Sequence, residues 1–116
     1  MIKRVNYMVE QVEKILQEWK VPTHYVGYGH LLTAAELYEA GEPFSLVLLC
    51  KVAVCRHRRL YRVRMALYTV LKYVNTTPFG RAWAASHGHP MGMEEFFLTL
   101  FTLAEQRKQV EEGELE

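Results

Sequence analysis

Hydrophobic positions recur with helical spacing along most of the chain. Val5, Met8, Val9, Val12, Ile15, Leu16 and Trp19 follow an i, i+3, i+4, i+7 pattern, the mark of a helix with one apolar stripe. Val21-Pro22-Thr23 ends that helix. A second helix is predicted from about Tyr28 to Glu39, with Gly41 just past its end and Pro43 beyond, the residues that stop helices. From Phe44 to Cys55 the chain is apolar nearly all round, which predicts a buried helix. The pattern breaks across Arg56 to Arg59. It resumes with helical spacing at Leu60, Val63, Ala66, Leu67, Val70, Leu71 and Val74, and Asn75-Thr76-Thr77-Pro78 punctuates it. FGRAWAAS predicts a short helix, HGHPMG a loop and MEEFFLTLFTLAEQRKQ a last helix. Glu94 and Glu95 fall in the first turn of that helix and Arg107 and Lys108 in its last, both placements favoured by the helix dipole. EEGELE predicts a frayed end. No strand alternation appears. The expected fold is all-α, a compact bundle of about five or six helices. It forms one domain over residues 1–108, followed by a flexible acidic tail over 109–116.

Charge changes this picture. The 116 residues carry a net charge of only +1, but the distribution is uneven. Between Pro43 and Met93 there is no acidic residue, and Lys51, Arg56, Arg58, Arg59, Arg62, Arg64, Lys72 and Arg81 give that window +8. The flanks hold six basic and thirteen acidic residues, −7. Five of the arginines and His57 lie within nine positions, 56–64. A basic centre between acidic flanks suits a polyanionic partner; the plainer reading is a solvated helix face.

The basic stretch also has the layout of a helix-turn-helix. Ala53 is small enough for close packing in a first helix. Val63, ten residues on, is an inner-face position of a second, joined by Leu60, Ala66 and Leu67. RHRR falls where the turn belongs, although it contains no glycine. The outer face of the second helix then carries Tyr61, Arg62, Met65, Tyr68 and Thr69, with Arg58 and Arg59 at its entrance. In such a motif the second helix enters the major groove, and arginine's planar fork suits both phosphate and guanine.

Two stretches carry a resemblance to a known family. In VEKILQEWKVPTHYVGYGHLLTAAELY the positions Val21, Pro22, His24, Gly27, Tyr28 and Leu31 match a Val-Pro-x-His segment followed by a helix opening on Gly-Tyr. VAVCRHRRLYRVRMALYTVLKYV aligns without gaps to the family's helix-turn-helix, with Ala53, Arg62, Val63 and Ala66 in register, and Glu95-Phe96 has a counterpart at the start of the last helix. Over roughly residues 10 to 105 the chain resembles the C-terminal effector domain of the master response regulator of sporulation initiation. The resemblance implies an all-α domain that binds double-stranded DNA as a transcription regulator and pairs as a homodimer through its last helix. It also implies that Arg62 contacts a base or the backbone in the major groove. The chain departs from the family at the turn, where polar residues, often threonine, are replaced by Arg58 and Arg59. An acidic position is Arg64, an arginine is Met65 and another basic position is Tyr68, so a different sequence preference is expected. The resemblance covers the effector module, not the receiver that precedes it in the family. The chain contains no aspartate, so receiver-style aspartyl phosphorylation cannot take place on it, and control by that route would need a partner protein.

Other chemistry has little support. Cys50 and Cys55, five apart on a helix, point to different faces and are expected as buried thiols in a reducing cytoplasm. No pair among the cysteines and histidines has zinc-ligand spacing. His24 is read as a capping or packing residue, and Trp19, Trp83 and the phenylalanines as core. The FFLTLF face is broad enough for a dimer contact. There is no Ser-His-acid set and no phosphate-cradling glycine loop, so no enzyme and no cofactor are expected. The start of the chain is amphipathic with interspersed glutamates, and FSLVLLCKVAVC is too short to span a bilayer. A soluble cytoplasmic regulator is therefore expected, using residues 47–74 to bind DNA through Arg58, Arg59, Tyr61, Arg62, Arg64, Met65, Tyr68 and Thr69. The alternative is an interaction module whose basic helix binds an acidic protein, such as a regulator or an RNA-polymerase surface.

Overall fold

The structure, a computed structural model, describes residues 7–115, with side chains up to Val110. Val5, which opens the first apolar pattern, and Glu116 lie outside the described residues. Six helices follow one another: α1 (Tyr7–Glu18), α2 (Val26–Glu39), α3 (Leu46–Arg56), α4 (Leu60–Thr76), α5 (Pro78–His87) and α6 (Met93–Leu115). The described residues hold no strand. The fold is the all-α bundle that the periodicity predicts.

The stripes of α1 and α4 become the centre of the core. Met8, Val12, Ile15 and Leu16 of α1 are buried, as are Val63, Leu67, Val70, Leu71 and Val74 of α4. Phe96, Phe97, Leu100, Phe101 and Ala104 of α6 close it. Apart from Ala104, burying each such side chain is worth about 1.5–3 kcal/mol relative to leaving it in water. Phe97 stacks on Phe44 at 4.5 Å between ring centroids, and Phe101 meets Tyr38 at 4.6 Å. Trp19 stacks on Phe79 at 4.3 Å, tying the end of α1 to α5. Trp83 is half-buried at the edge and stacks on His87.

α2 starts at Val26, two residues earlier than its apolar pattern suggests. Its first turn presses on α4. A Cβ added at Gly27 would stand 2.5 Å from the Ala66 carbonyl oxygen, so only glycine allows this approach. Gly80 does the same for α5, where a Cβ would collide with the Val74 carbonyl. Thr77 stands between α4 and α5. Its hydroxyl accepts from the Gly80 N–H, capping α5, and Pro78 occupies the first turn.

Three expectations are corrected. First, α3 is not buried all round. Leu48, Leu49, Val52 and Ala53 face α2 and α4, but Leu46, Val47 and Val54 are 60, 54 and 75% exposed. Cys50 and Cys55, expected as buried thiols, are both exposed and free. The helix has neighbours on one side only, so its second apolar face stays in solvent. Second, α6 runs on to Leu115, through the residues expected as a frayed tail. Arg107 and Lys108 are therefore mid-helix and serve ion pairs instead of the helix dipole. Arg107 donates twice to Glu18 of α1, at 2.6 and 2.8 Å, and Lys108 reaches Glu39 of α2 at 3.2 Å. The Arg107 guanidinium holds the Glu18 carboxyl below its usual range. Third, the FFLTLF face is wide because it is used inside the chain. Phe96, Phe97, Leu100 and Phe101 are buried, and Leu98 alone of that run is strongly exposed.

Candidate nucleic-acid interface

α3 and α4 are joined by three residues, His57 to Arg59. Ser45 opens α3, its hydroxyl accepting from the Leu48 N–H at 3.3 Å. At the other end His57 adopts the left-handed conformation, φ 54° and ψ 47°. That is the position a glycine normally takes at a helix C-terminus, and histidine is among the residues that tolerate it. The turn therefore closes without glycine. The His57 N–H bonds the Val54 carbonyl at 3.2 Å and the Arg58 N–H bonds the Ala53 carbonyl at 2.9 Å. Arg59 is extended and caps α4 with its own carbonyl, which accepts from Arg62 at 3.0 Å and Val63 at 3.1 Å. Its side chain makes no cap.

With Val63, Leu67, Val70, Leu71 and Val74 anchored inward, the opposite face of α4 is fixed toward solvent. At about 100° per residue, the exposed positions run across that face in the order Arg64, Tyr68, Tyr61, Lys72, Met65, Thr69 and Arg62, a sector of roughly 160°. Tyr61, Met65 and Tyr68 are half or more exposed. Every residue expected at the site is thus on the surface, with Arg58 and Arg59 at the turn and Tyr61, Arg62, Arg64, Met65, Tyr68 and Thr69 on α4. Lys72 belongs to the same face and was missed. Its spacing four after Tyr68 and seven after Met65 carried the signal.

The side chains differ in how free they are. Arg62 lies against Tyr61, its Nε donating to the phenol oxygen at 3.1 Å and its guanidinium carbon 5.5 Å from the ring centroid. This cation–π contact restrains the arginine. The Thr69 hydroxyl donates back to the Met65 carbonyl at 3.1 Å, leaving it only acceptor capacity. Arg64 lines a cavity of about 390 Å³ beside Leu46, Tyr68 and Glu94, at the edge of the face.

The electrostatics are one-sided. Lys14, Lys51, Arg107 and Lys108 each pair with a glutamate. Among the described residues no carboxylate pairs with Arg56, Arg58, Arg59, Arg62 or Arg64. Three of these, Arg58, Arg59 and Arg62, also cluster at the N-terminus of α4. The helix dipole is positive there and cations are disfavoured by about 0.3–1 kcal/mol each.

His24 is exposed and meets Tyr25 edge-on, 5.2 Å between centroids. His30 is buried in α2, and neither ring nitrogen has a hydrogen-bond partner. Burial, then the charges of Arg56 and Arg58, holds its pKa below the ordinary value. Among the described residues no three His, Cys, Asp or Glu side chains group as metal ligands. No helix among them is long and apolar enough to cross a membrane. Compared with known protein families, curated proteins and solved structures, the chain matches none.

Proposed function

We propose that the protein is a sequence-selective regulator that binds double-stranded DNA, with α3 and α4 acting as a helix-turn-helix and the outer face of α4 in the major groove. One observation carries this reading: Arg58, Arg59 and Arg62 crowd a helix N-terminus, where the dipole opposes them, with no carboxylate paired to them among the described residues. Such an arrangement gains most when an anion arrives. A line of phosphates beside a groove supplies several. In this reading Arg58 and Arg59 hold backbone phosphates. Tyr61, Arg62, Met65 and Tyr68 face base edges, where Met65 and the rings suit the thymine methyl group and Arg62 suits guanine. Arg64 flanks the groove, and Lys72 adds a backbone contact further along α4. The resemblance to the sporulation regulator's effector domain fits this assignment and a place in the cytoplasm. Its homodimer through the last helix has less to stand on, since most of that helix's apolar face is already buried.

A second reading is favoured by a different observation, the exposed apolar side chains Leu46, Val47 and Val54 of α3 beside the basic face. A patch of this kind suits a protein surface. The basic helix would then dock an acidic protein, a regulator or a surface of RNA polymerase.

Binding to a randomised duplex pool, followed by fluorescence anisotropy at several salt concentrations, separates the two. The DNA reading expects affinity that falls steeply with salt, about −0.9 in slope per phosphate neutralised, and that collapses in the Arg58→Ala/Arg62→Ala double variant. A folded protein that fails to bind duplex at low salt refutes it and leaves the acidic protein partner.

A further inference from the structure

His30 is the most deeply buried polar side chain near the basic turn. It is 1% exposed, and both its ring nitrogens lack a partner. Buried polar groups left unpaired are few in native proteins, and each needs a physical reason. His30 is one of the residues lining a surface cavity of about 250 Å³, together with Val26, Cys55, Arg56, His57 and Arg58. At about 30 Å³ per water, that is room for a small anion and several waters.

Two arginines and a helix N-terminus border this cavity. Val26 opens α2, whose N-cap Tyr25 gives no side-chain cap, so the positive end of that helix borders it. Arg56 bends back over α2. A Cβ at Gly29 would stand 2.7 Å from its Nη2, so the absent side chain is what lets the guanidinium lie there. Of the carbonyls ending α3, which would repel an anion, Ala53 accepts from the Arg58 N–H and Val54 from the His57 N–H. No carboxylate lines the cavity.

We propose that this cavity binds a phosphate-class oxyanion, with the His30 imidazole donating from its floor and Arg56 and Arg58 from its rim. The anion is either a free phosphate or one phosphate of a duplex backbone; the second source rests on the DNA reading above, the first does not. In the duplex case the cavity fixes the register of the protein on the strand, one helix away from the base-reading face.

The test uses the whole chain and inorganic phosphate as probe. Side-chain nitrogen resonances of His30 are followed by NMR during titration with phosphate, against chloride at matched ionic strength. The expected result is a saturable shift of His30 with phosphate only, weakened at least tenfold in Arg56→Gln and unchanged in Arg81→Gln on α5. Because Arg56 is exposed, its replacement leaves the core intact. Gly29→Ala provides a second check, displacing the guanidinium while keeping every charge, and it weakens phosphate binding as well. If His30 responds to phosphate and chloride alike, or shifts equally in Arg56→Gln, the cavity holds only water and the inference is overturned. Duplex competition then separates the sources. Phosphate that displaces duplex from the native protein, but not from Arg56→Gln, identifies a backbone phosphate. Saturable phosphate binding without competition supports a free-phosphate site, and the DNA reading stands or falls by its own salt titration.

Discussion

The two helices flanking the basic turn leave opposite surfaces in solvent. α3 exposes Leu46, Val47, Cys50 and Val54, while α4 exposes arginines, two tyrosines, Met65 and Lys72. Both are anchored in the same way, by a run of apolar residues on the inner face. The difference lies in what each outer face presents to solvent. Apolar character on α3 marks a surface without a neighbour in this chain. Charge on α4 marks a basic surface whose arginines pair with no carboxylate among the described residues. Helix-level hydrophobicity therefore says which residues avoid water in the abstract, and only the neighbours decide which of them succeed.

The largest effects test the shared anchoring. Leu67 is 1% exposed and sits under the middle of the basic face. Leu67→Ala should cost about 2–5 kcal/mol, the range for deleting a buried leucine side chain. Chemical denaturation measures it directly. A cost below 1 kcal/mol would mean that α4 is not held by its inner face, and the orientation of its outer face would lose its basis.

Next come the contacts assigned to DNA. Arg62→Ala should relax discrimination at one base pair by about 1–3 kcal/mol. Arg58→Ala should weaken all duplexes alike and lower the salt slope by about one. Site selection followed by competition binding reads the first, and a salt titration the second. If Arg62→Ala weakens every sequence equally, Arg62 is a phosphate contact and base reading falls to Tyr61, Met65 and Tyr68. The cation–π contact with Tyr61 gives a sharper version, since Tyr61→Leu frees the arginine and should blur the same base position.

Much of this arrangement was legible beforehand, for physical reasons that differ by element. α1 and α4 were readable because each has a single apolar stripe with helical period, and one stripe implies one buried side. The turn was readable from the break in that period, and the outer face of α4 followed from the anchor positions. α3 was not, because residues apolar on all sides carry no information about which side will find a partner. The roles of Arg107 and Lys108 were hidden as well. Their partners Glu18 and Glu39 lie 89 and 69 residues away, and nothing local to a helix end reveals a contact at that separation. His30 and Arg56 belong to the same class. Each reads as an ordinary helix residue until α2 and α3 are packed, and only then do they share a cavity.

A smaller effect concerns pH. The pKa of His30 is held below its ordinary value in the folded chain, first by burial and then by Arg56 and Arg58. When the folded pKa is depressed, the unfolded chain takes up the proton first. Stability is therefore full above the unfolded histidine value, near 6.5, and is lost as pH falls below it. The slope is at most about 1.4 kcal/mol per pH unit for one proton. Denaturation between pH 7.5 and 5.5 should show this loss, and His30→Gln should flatten it. Bound phosphate opposes the trend, because an anion beside the ring favours its protonated form. A slope that persists unchanged in His30→Gln would assign it to another group.

The smallest expected effect bears most directly on the contrast between the two helices. Val54 is 75% exposed, so Val54→Ser removes little buried surface, and its stability change should stay within about 0.5 kcal/mol. Its effect on function separates the readings. If the protein acts through DNA alone, the groove meets α4 and the turn, and Val54→Ser leaves duplex affinity and salt slope as they were. If the apolar face of α3 is where an acidic protein also seats, the same substitution weakens that complex while DNA binding is unaffected. The reverse pairing, Arg62→Ala with loss of DNA binding and an intact protein complex, would then assign one surface to each helix. Should Val54→Ser instead lower stability by more than 1 kcal/mol, that side chain is covered in solution, and a second copy of the chain becomes the first candidate for what covers it. Sedimentation of the native protein and of Val54→Ser over a concentration series decides that last point.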